Sequence, residues 1–312
     1  MAAILDDKSP ICIPFILEHL ADHLAAEGPD KARPFLIGLN GVQGVGKTTL
    51  VRSLADALAA EAHPALVLSI DDLYLPHAAQ RALAAAHPDN ALLQQRGEPG
   101  THDIPLARAF LADVLARRPT RVPAYDKAAF NGKGDRAPED TWIAINSQAP
   151  GPDGTPASPS PSPSPSPSPR IDVVIVEGWC VGFRALPDAE VEARWRGPSR
   201  TLAKHKLEHL LFVNDRLREY DAITDLLDVF VHIDAEDTSY AYDWRAQQEV
   251  ALRAERGAGM TPDEVVKFVD GYYPAYELYA DALRRGVFPD RPEKQVRMVV
   301  GKDRKVKETH VI

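Results

Sequence analysis

The sequence predicts an α/β protein built on a doubly wound, mostly parallel sheet with helices on both faces. Two observations predict this fold class. First, short runs of apolar, β-branched residues alternate along the chain with longer segments of helical periodicity. Second, a glycine-rich loop, G-V-Q-G-V-G-K-T at residues 41–48, stands between the first apolar run and the helical segment that follows it. A strand, this loop and a helix in succession predict the P-loop NTPase fold.

The individual elements follow from short apolar runs and from helical spacing. The predicted strands are Phe35–Leu39, Ala65–Ile70, Ile171–Val176, Leu227–Ile233 and a final strand, Val296–Val300. The predicted helices are Ile11–Ala26, Thr48–Ala62, Leu106–Arg117, Glu236–Arg256 and Thr261–Leu283, whereas Arg121–Phe130 is expected to be extended or looped. Because all these strands are expected to share one sheet, residues 1–312 are predicted to form a single domain.

Residues 150–170 differ in composition from the rest of the chain, because six Ser-Pro pairs run from Ser158 to Pro169. Such a tract cannot bury apolar surface or sustain helix and sheet hydrogen bonding, so it predicts a disordered insertion within the domain. Ser-Pro pairs can also serve as phosphorylation sites. A tolerated loop expansion is the simpler interpretation, since loop closure costs little extra with length.

Composition and charge limit the functional classes. The 312 residues carry a net charge of −9, which argues against a nucleic-acid-binding protein because such proteins present a basic surface. Cys12 and Cys180 are far apart and lack metal-binding spacing, so neither a disulfide framework nor a zinc site is expected. No apolar stretch approaches the ~18 residues of a membrane span and no leader is recognisable, so the cytosol is the expected location. The oligomeric state stays open, and a monomer is compatible with the sequence.

The glycine-rich loop carries the chemistry of nucleotide binding. Its glycines let backbone N–H groups converge on phosphate oxygens, and the N-terminus of the following helix adds partial positive charge. Lys47 is expected to reach the β- and γ-phosphates of ATP, and the Thr48 hydroxyl is expected to hold Mg²⁺. The residues expected to contact the nucleotide are Gly41, Gly44, Val45, Gly46, Lys47, Thr48 and Thr49.

Carboxylates stand at the carboxyl ends of two predicted strands, where ligands bind in open α/β sheets. Asp71 follows its strand directly, and phosphoryl transfer to an alcohol needs a carboxylate that orients the hydroxyl and accepts its proton. Asp71 is therefore the candidate base, and a helix cap is the alternative for Asp71 and, more readily, for Asp72. Glu177 ends the strand after the Ser-Pro tract and is a candidate Mg²⁺ ligand, directly or through water, the alternative being a solvated surface charge.

Two glycine-rich, charged segments are candidates for the acceptor site. In an acidic protein, Arg96, Lys127 and Arg136 are the cations that a small anionic substrate would require. His102 and Asp103 could hydrogen-bond its hydroxyl groups, although ordinary loops have a similar composition. The full set of predicted acceptor residues is Asp71, Tyr74, Arg96, His102, Asp103, Tyr125, Lys127 and Arg136.

Residues 236–260 predict a mobile helical lid. Arg245 and Arg256 are 11 residues apart, about three helical turns, so they share one face of the helix, and Arg253 lies between them. Kinases close such lids over the reaction, and lid arginines neutralise the transferring phosphoryl group, so Arg245 is a candidate catalytic residue. The alternative interpretation is a solvated charged helix.

Short motifs along the chain resemble those of a known enzyme family. In order, they are G-V-Q-G-V-G-K-T-T-L, S-I-D-D-L-Y-L, R-G-E-P-G-T-H-D, Y-D-K-A-A-F-N-G-K-G-D-R, V-I-V-E-G-W, Y-D-W-R-A-Q-Q-E, G-M-T-P-D-E-V and Y-Y-P-A-Y. Together they resemble the D-glycerate 3-kinase family of plants and fungi, which belongs to the phosphoribulokinase, uridine kinase and pantothenate kinase group of P-loop kinases. The resemblance extends from about Phe35 to Phe288. The phosphate loop is shared by many proteins, whereas the combination of D-D-L-Y, Y-D-K…G-D-R and E-G-W is more specific.

The resemblance implies an ATP-dependent kinase that uses Mg²⁺ to phosphorylate D-glycerate to 3-phosphoglycerate. Lys47 and Thr48 match the family's phosphate loop, Glu177 matches its Walker B position, and Asp71 matches the base of the wider group. Leu73 stands where an aromatic residue is commoner in the group, which could alter the wall of the pocket.

Two other functions are compatible with these residues. A sister kinase would phosphorylate a nucleoside, pantothenate or a sugar phosphate. A nucleoside predicts aromatic stacking, whereas a carboxylate substrate predicts a pocket arginine, Arg96 or Arg136. A nucleotide-dependent switch is the third hypothesis, but neither an N-K-x-D guanine-reading motif nor a D-x-x-G switch motif follows the phosphate loop.

Overall fold

The computed structural model describes residues 6–28, 32–147, 170–257 and 259–312. The predicted Ser-Pro insertion therefore lies outside the described residues, apart from Arg170. The strands are β1 (Phe35–Gly41), β2 (Ala65–Ser69), β3 (Thr120–Val122), β4 (Tyr125–Asp126), β5 (Asp135–Arg136), β6 (Ile143–Ile145), β7 (Val173–Gly178), β8 (Val229–Ala235), β9 (Gln295–Val300) and β10 (Val306–Val311).

Six strands form the central sheet, in the order β10-β9-β8-β1-β7-β2. Neighbouring strands from β9 to β2 run parallel, and β10 alone pairs in the antiparallel sense, with β9. Two short antiparallel pairs, β3–β6 and β4–β5, complete the described strands. The predicted mostly parallel sheet is confirmed.

Helices surround this sheet. They are α1 (Ser9–Glu27), α2 (Lys47–Ala60), α3 (His77–Ala86), α4 (Ile104–Leu115), α5 (Ala129–Gly132), α6 (Asp188–Arg196), α7 (Leu207–Leu217), α8 (Asp221–Thr224), α9 (Tyr240–Arg256), α10 (Pro262–Asp270) and α11 (Tyr273–Arg284). α2 packs on β1, β2 and β7 and also contacts α1. Leu283 of α11 and the ring of Phe230 in β8 both lie next to Gly182. Within the described part of the chain, no helix is long and apolar enough to cross a bilayer.

The core centres on β1 and β8, which are buried along their whole length. A parallel sheet covered on both faces buries successive side chains on alternate sides, which explains the nearly continuous apolar runs in these strands. Gly38 of β1 provides room for a large neighbour, because a side chain at this position would lie 2.5 Å from the ring of Phe230. The ring of Phe230 therefore packs directly over the β1 backbone.

The strand registers bring the chemically important segments to one edge of the sheet. Glu177 lies opposite Leu39 of β1 on one side and opposite Ser69 of β2 on the other. The phosphate loop begins at Gly41, and a 3₁₀ turn that contains Asp71 follows Ser69. The carboxyl ends of β1, β2 and β7 thus meet where the sequence predicts a site.

The structure differs from the predicted elements in three places. The segment predicted as one helix, Thr261–Leu283, is two helices, because α10 ends at Asp270 and Pro274 lies in the first turn of α11. The helix predicted from Glu236 begins at Tyr240, after the turn that follows β8. The strand predicted as the last, Val296–Val300, is followed by β10, whose exposed side chains give little apolar signal.

The residues that follow β6 and those that precede β7 lie next to each other. Asn146, with a left-handed φ of 54°, accepts a hydrogen bond at Oδ1 from the backbone N–H of Ile171 at 3.1 Å. Arg117 also donates to the Ile171 carbonyl oxygen at 2.8 Å and to Asp172. The bond between Asn146 and Ile171 holds the two ends of the connection together, and Arg117 anchors the second end.

Candidate active site

The phosphate loop joins β1 to α2 in a conformation that requires glycine. Gly44 and Gly46 have φ angles of 82° and 104°, in the left-handed region. Gly46 caps α2, which begins at Lys47, and the first N–H groups of a helix lack acceptors within it. The predicted nucleotide contacts Gly41, Gly44, Val45, Gly46, Lys47, Thr48 and Thr49 all lie in this loop or in the first turn of α2. The arrangement has the form of an anion-binding site.

Lys47 links the loop to the carboxylates at the sheet edge. Its Nζ donates to the carbonyl oxygen of Gly41 at 2.7 Å. Burial lowers the pKa of Lys47, while attraction to the carboxylates of Glu177 and Asp71 opposes this effect. The ammonium, Glu177 and Asp71 are therefore neighbours, as a site for phosphoryl transfer requires.

Asp71 is ion-paired beside the phosphate loop. Its Oδ2 lies 2.6 Å from the Nζ of Lys127, and its carboxylate also accepts a hydrogen bond from the Tyr74 hydroxyl. Burial raises the pKa of Asp71, but the charge and hydrogen bond of Lys127 outweigh burial and hold it below its usual value. Asp72 differs, because burial raises the pKa of its carboxyl above the usual value despite a hydrogen bond from the Tyr125 backbone. Of these two carboxyl groups, Asp71 is the one whose surroundings favour the ionised form, as a base requires.

Tyr74 and His102 form an aromatic wall next to Asp71. The two rings stack with centroids 4.3 Å apart, and the Nδ1 of His102 lies 2.6 Å from the hydroxyl of Tyr220. Burial lowers the pKa of His102 to about 4, so its ring is neutral at physiological pH. Its Nε2 is buried without a hydrogen-bond partner among the described residues. His102 thus brings one unsatisfied polar atom close to Asp71, and its place in the acceptor site stays a prediction.

Arg96 braces the second predicted acceptor segment. Its guanidinium donates to the carbonyl oxygens of Gly132, Lys133 and Lys127, the first at 2.8 Å and the last at 3.4 Å. It also lies 5.6 Å from the centre of the Tyr125 ring, a cation–π distance. Arg96 and Tyr125 are thus brought together with Lys127, but the guanidinium of Arg96 is already engaged with the backbone.

Arg136 and Asp103 contact each other. The Nη2 of Arg136 donates to Oδ2 of Asp103 at 2.9 Å and to the carbonyl oxygen of Tyr74 at 3.1 Å. Asp103 also caps α4 by accepting from the backbone N–H of Leu106. These two predicted acceptor residues tie the Asp71 turn to α4, and their charged groups already have protein partners.

Arg245 lies on α9 within a helical hairpin. Its Nη2 is 2.5 Å from Oε1 of Glu249, and its guanidinium stands 4.4 Å from the centre of the Phe268 ring in α10. Arg253 donates to the carbonyl oxygen of Met260 in the same hairpin. Arg245 and Arg253 are therefore engaged within the hairpin, whereas the side chain of Arg256 lies outside the part of the chain that the structure describes.

The side chain of α9 that touches the phosphate loop is Trp244, a residue that sequence reasoning missed. A Cβ atom added at Gly44 would lie only 2.6 Å from the Cβ of Trp244, so the two residues are in close contact. The indole N–H of Trp244 donates to the carbonyl oxygen of Lys302. Arg304 stacks over the indole at 5.2 Å and donates through Nε to the carbonyl oxygen of Gly44 at 2.8 Å. The Y-D-W-R motif contained this signal, but the search for phosphate-binding cations directed attention to the arginine beside it.

Glu98 is a second residue that sequence reasoning passed over. Only 2% of it is exposed, and neither carboxyl oxygen has a hydrogen-bond partner among the described residues. Burial raises the pKa of Glu98 well above its usual value, which favours the protonated form of the group. The burial of Glu98 could not be predicted from the sequence, because its segment, R-G-E-P-G-T-H-D, contains other charged residues and reads as a polar loop.

A mostly parallel sheet with a G-x-x-x-x-G-K-T loop after an inner strand, and with carboxylates beside the lysine of that loop, defines a P-loop kinase. Comparisons with known proteins narrow this class. No family model matches the chain. It is 34% identical over 279 residues to the uncharacterized kinase mug58 of Schizosaccharomyces pombe, which covers 87% of this chain and 90% of that protein.

Two relatives are named D-glycerate 3-kinases. The chloroplastic enzyme of Arabidopsis thaliana is 34% identical over 271 residues, a match that spans 84% of this chain and 52% of the plant protein. The solved structure of the enzyme from Cryptococcus neoformans superposes with a TM-score of 0.83 at 30% identity, over 98% of this chain and 99% of that one. The chain therefore belongs to the D-glycerate 3-kinase family, and it is an ATP-dependent phosphotransferase that acts on an alcohol group of a small molecule.

Proposed function

We propose that this protein transfers the γ-phosphoryl group of ATP to D-glycerate and forms 3-phosphoglycerate. The observation that carries the proposal is the ion pair of Asp71 with Lys127, beside the phosphate loop. A hydroxy acid presents a hydroxyl and a carboxylate a few bonds apart, and this pair offers a base for the first and a cation for the second. The similarity to two D-glycerate 3-kinases supports the same substrate.

The nucleotide is held by the phosphate loop. Backbone N–H groups of the loop and of the first turn of α2 bind the phosphate oxygens, and Lys47 contributes its charge to the β- and γ-phosphates. Because Lys47 Nζ donates to Gly41 in the structure, it exchanges a carbonyl oxygen for phosphate oxygens as ATP enters.

The residues at the sheet edge fit Mg²⁺. Thr48 supplies a hydroxyl in the first turn of α2 and Glu177 a carboxylate at the end of β7, both oxygen ligands of the kind that this cation prefers. When bound, Mg²⁺ neutralises charge on the β- and γ-phosphates. The attraction of Lys47 to Glu177 supports the closeness of this carboxylate to the phosphate site.

Asp71 acts as the base in the transfer step. It accepts the proton of the glycerate hydroxyl as that oxygen bonds to the γ-phosphorus, while the bond from the γ-phosphorus to the β,γ-bridging oxygen breaks and ADP leaves. His102 contributes its free Nε2 to the hydroxyl groups of the acceptor. Tyr74 and Tyr125 form the wall of the acceptor pocket, and Arg96, Arg136 and Asp103 hold its segments in place.

We propose that residues 236–260, which contain α9, form the lid. Trp244 already contacts the phosphate loop, so closure changes the tilt of α9 rather than its attachment. On closure, the guanidinium of Arg245 exchanges its ion pair with Glu249 for one with the transferring phosphoryl group. Because β2 before the Ser-Pro tract pairs with β7 after it, we treat residues 1–312 as one domain.

The test measures ADP release from ATP·Mg²⁺ with D-glycerate, L-glycerate, uridine, pantothenate or ribulose 5-phosphate as the acceptor. We expect turnover with D-glycerate, and loss of that turnover in Lys47→Ala. Turnover with another acceptor and none with D-glycerate would refute D-glycerate as the substrate, but the protein would still be an ATP-dependent kinase. Regiochemistry follows from ³¹P NMR of the product, which should show 3-phosphoglycerate.

A further inference from the structure

The base of this site is paired with a lysine that belongs to a different segment. Lys127 Nζ lies 2.6 Å from Asp71 Oδ2, and 54% of the Lys127 side chain is exposed, compared with 29% of the Asp71 side chain. A carboxylate that is held by an ammonium is a weaker proton acceptor than a free one, because the pair stabilises its ionised form. For Asp71 to work as a base at full strength, Lys127 has to move.

The backbone around Lys127 is fixed, so only its side chain can move readily. Arg96 donates to the carbonyl oxygens of Lys127, Gly132 and Lys133, and therefore ties both ends of the turn 127–133 to one guanidinium. The flexible four-carbon stem of lysine allows its ammonium to change partners without displacement of the backbone.

The turn itself is strained, as expected for a segment that is held in position by its surroundings. Phe130 and Asn131 have φ angles of 50° and 56°, left-handed values that are unfavourable for Phe and that Asn tolerates better. Phe130 is 55% exposed, and its ring stacks on His77 at 3.9 Å. The strain is thus balanced by contacts on both sides of the turn, from Arg96 and from His77.

The other two cations of the acceptor site do not have this freedom. Arg96 is bound to backbone carbonyl oxygens, and Arg136 is bound to Asp103 and to the carbonyl oxygen of Tyr74. Among the described cations predicted for the acceptor, Lys127 is the one whose partner is the base itself.

We infer that Lys127 is an exchangeable counter-ion that pairs with Asp71 until the carboxylate of the acceptor takes its ammonium. This inference rests on the proposed function. With a carboxylate-bearing acceptor, the ammonium gains a new ion pair, and this pair offsets the loss of its pair with Asp71. With a neutral alcohol or water, separation would leave both the ammonium and a partly buried carboxylate unpaired with nothing gained, so the pair stays closed.

Two consequences follow from the exchange. The first is specificity, because an acceptor that lacks a carboxylate finds the base still paired. The second is suppression of ATP hydrolysis. Water that reaches the γ-phosphorus also needs a base for its proton, and in the absence of a carboxylate acceptor that base is held by Lys127. Lys127 thus both selects the acceptor and protects the nucleotide.

The experiment compares Lys127→Met and Lys127→Arg with Lys206→Met. Lys206 makes an equally short pair with Asp89 at 2.6 Å in an exposed place outside the site, so its variant controls for loss of a Lys–Asp pair. Two quantities are measured for each protein with Mg²⁺: the ratio of kcat/KM for D-glycerate to that for glycerol, and the rate of phosphate release from ATP without an acceptor.

For Lys127→Met we expect the glycerate-to-glycerol ratio to fall at least ~10-fold, the effect of one charge-assisted hydrogen bond. We also expect acceptor-free hydrolysis to rise, by up to ~10²-fold if Asp71 becomes a full general base for water. Lys127→Arg should keep most of the ratio, and Lys206→Met should match the wild type in both measurements.

The inference requires both changes in Lys127→Met, and the absence of either overturns it. Failure of the proposed function is a separate result, since it appears as wild-type protein that turns over neither glycerate nor glycerol. In that case the hydrolysis measurement still decides whether Lys127 restrains the base, because it uses no acceptor.

Discussion

Asp71 is both partly buried and ion-paired, and these two properties act on its protonation in opposite directions. Lys127 and the Tyr74 hydroxyl outweigh burial, so the pKa of Asp71 stays below its usual value and the group is ionised throughout the neutral range. As the proposed base, Asp71 would therefore limit the rate only in acidic solution.

Replacement of Asp71 by Asn tests the role of the carboxylate with almost no change of shape. We expect kcat to fall by at least ~10²-fold, the usual contribution of a general base, with little change in the KM for ATP. Steady-state ADP release at pH 6 to 9 measures both quantities. A kcat near that of the wild type, with the same pH profile, would remove Asp71 from the chemical step.

At this scale, the positions of the phosphate loop, Asp71 and Glu177 could be predicted because each follows or ends a strand. The partners of Arg136 and Asp103 could not be predicted, because their contact joins segments more than 30 residues apart and depends on how the Asp71 turn meets α4. Composition alone assigned both to the acceptor. The structure shows that each already has a charged partner.

The hairpin of α9 and α10 contacts the phosphate loop through the aromatic side chain of Trp244. Trp244 is fully buried between the phosphate loop and the turn that joins β9 to β10, where Arg304 stacks on it. The contact at Gly44 means that the position of α9 and the shape of the loop depend on each other.

Truncation of Trp244 to Ala should affect both stability and nucleotide binding. We expect a loss of ~3–5 kcal/mol in the free energy of unfolding, from the cavity left behind, together with a raised KM for ATP. Urea denaturation and steady-state kinetics measure the two effects. Trp195→Ala is the matched control, since Trp195 is partly buried and donates to the carbonyl oxygen of His205, away from the loop. An equal rise in the KM for ATP in both variants would contradict a specific link between α9 and the loop.

Elements with a strong local signal were predictable. Thr261 and Glu264 form the capping box expected from the T-P-D-E sequence, so the start of α10 is confirmed. The division between α10 and α11 was missed because apolar spacing continues across it. β10 was missed because an edge strand with exposed side chains has no apolar alternation, and its pairing with β9 is visible only in three dimensions.

The molecule as a whole should lose stability in mild acid. His232 in β8 is buried, and burial lowers its pKa to about 4 from the usual 6.5. The unfolded chain therefore binds a proton at this position that the folded protein does not, so the stability present above pH 6.5 is lost as the pH falls towards 4. His102 changes stability in the same direction, since its pKa is also lowered to about 4.

His232→Gln isolates this contribution. Between pH 6.5 and 4, we expect its free energy of unfolding to fall less steeply than that of the wild type, by up to ~1.4 kcal/mol per pH unit. Urea titrations at several pH values give the slopes. His310→Gln, which changes an exposed histidine of β10, is the control. Equal slopes in the wild type and in His232→Gln would show that this histidine does not contribute to acid sensitivity.

The hydrogen bond between Ile171 and Asn146 holds β6 and β7 in place independently of the chain that connects them. This contact, which we call the neck, joins Asn146 just after β6 to Ile171 just before β7, and it fixes the spacing of the two strands without using the residues between them. For a flexible connection, each doubling of length costs only ~0.6 kcal/mol in closure entropy. The neck is therefore a natural place to splice in a reporter domain or to cut the chain for circular permutation, with the order of the sheet unchanged.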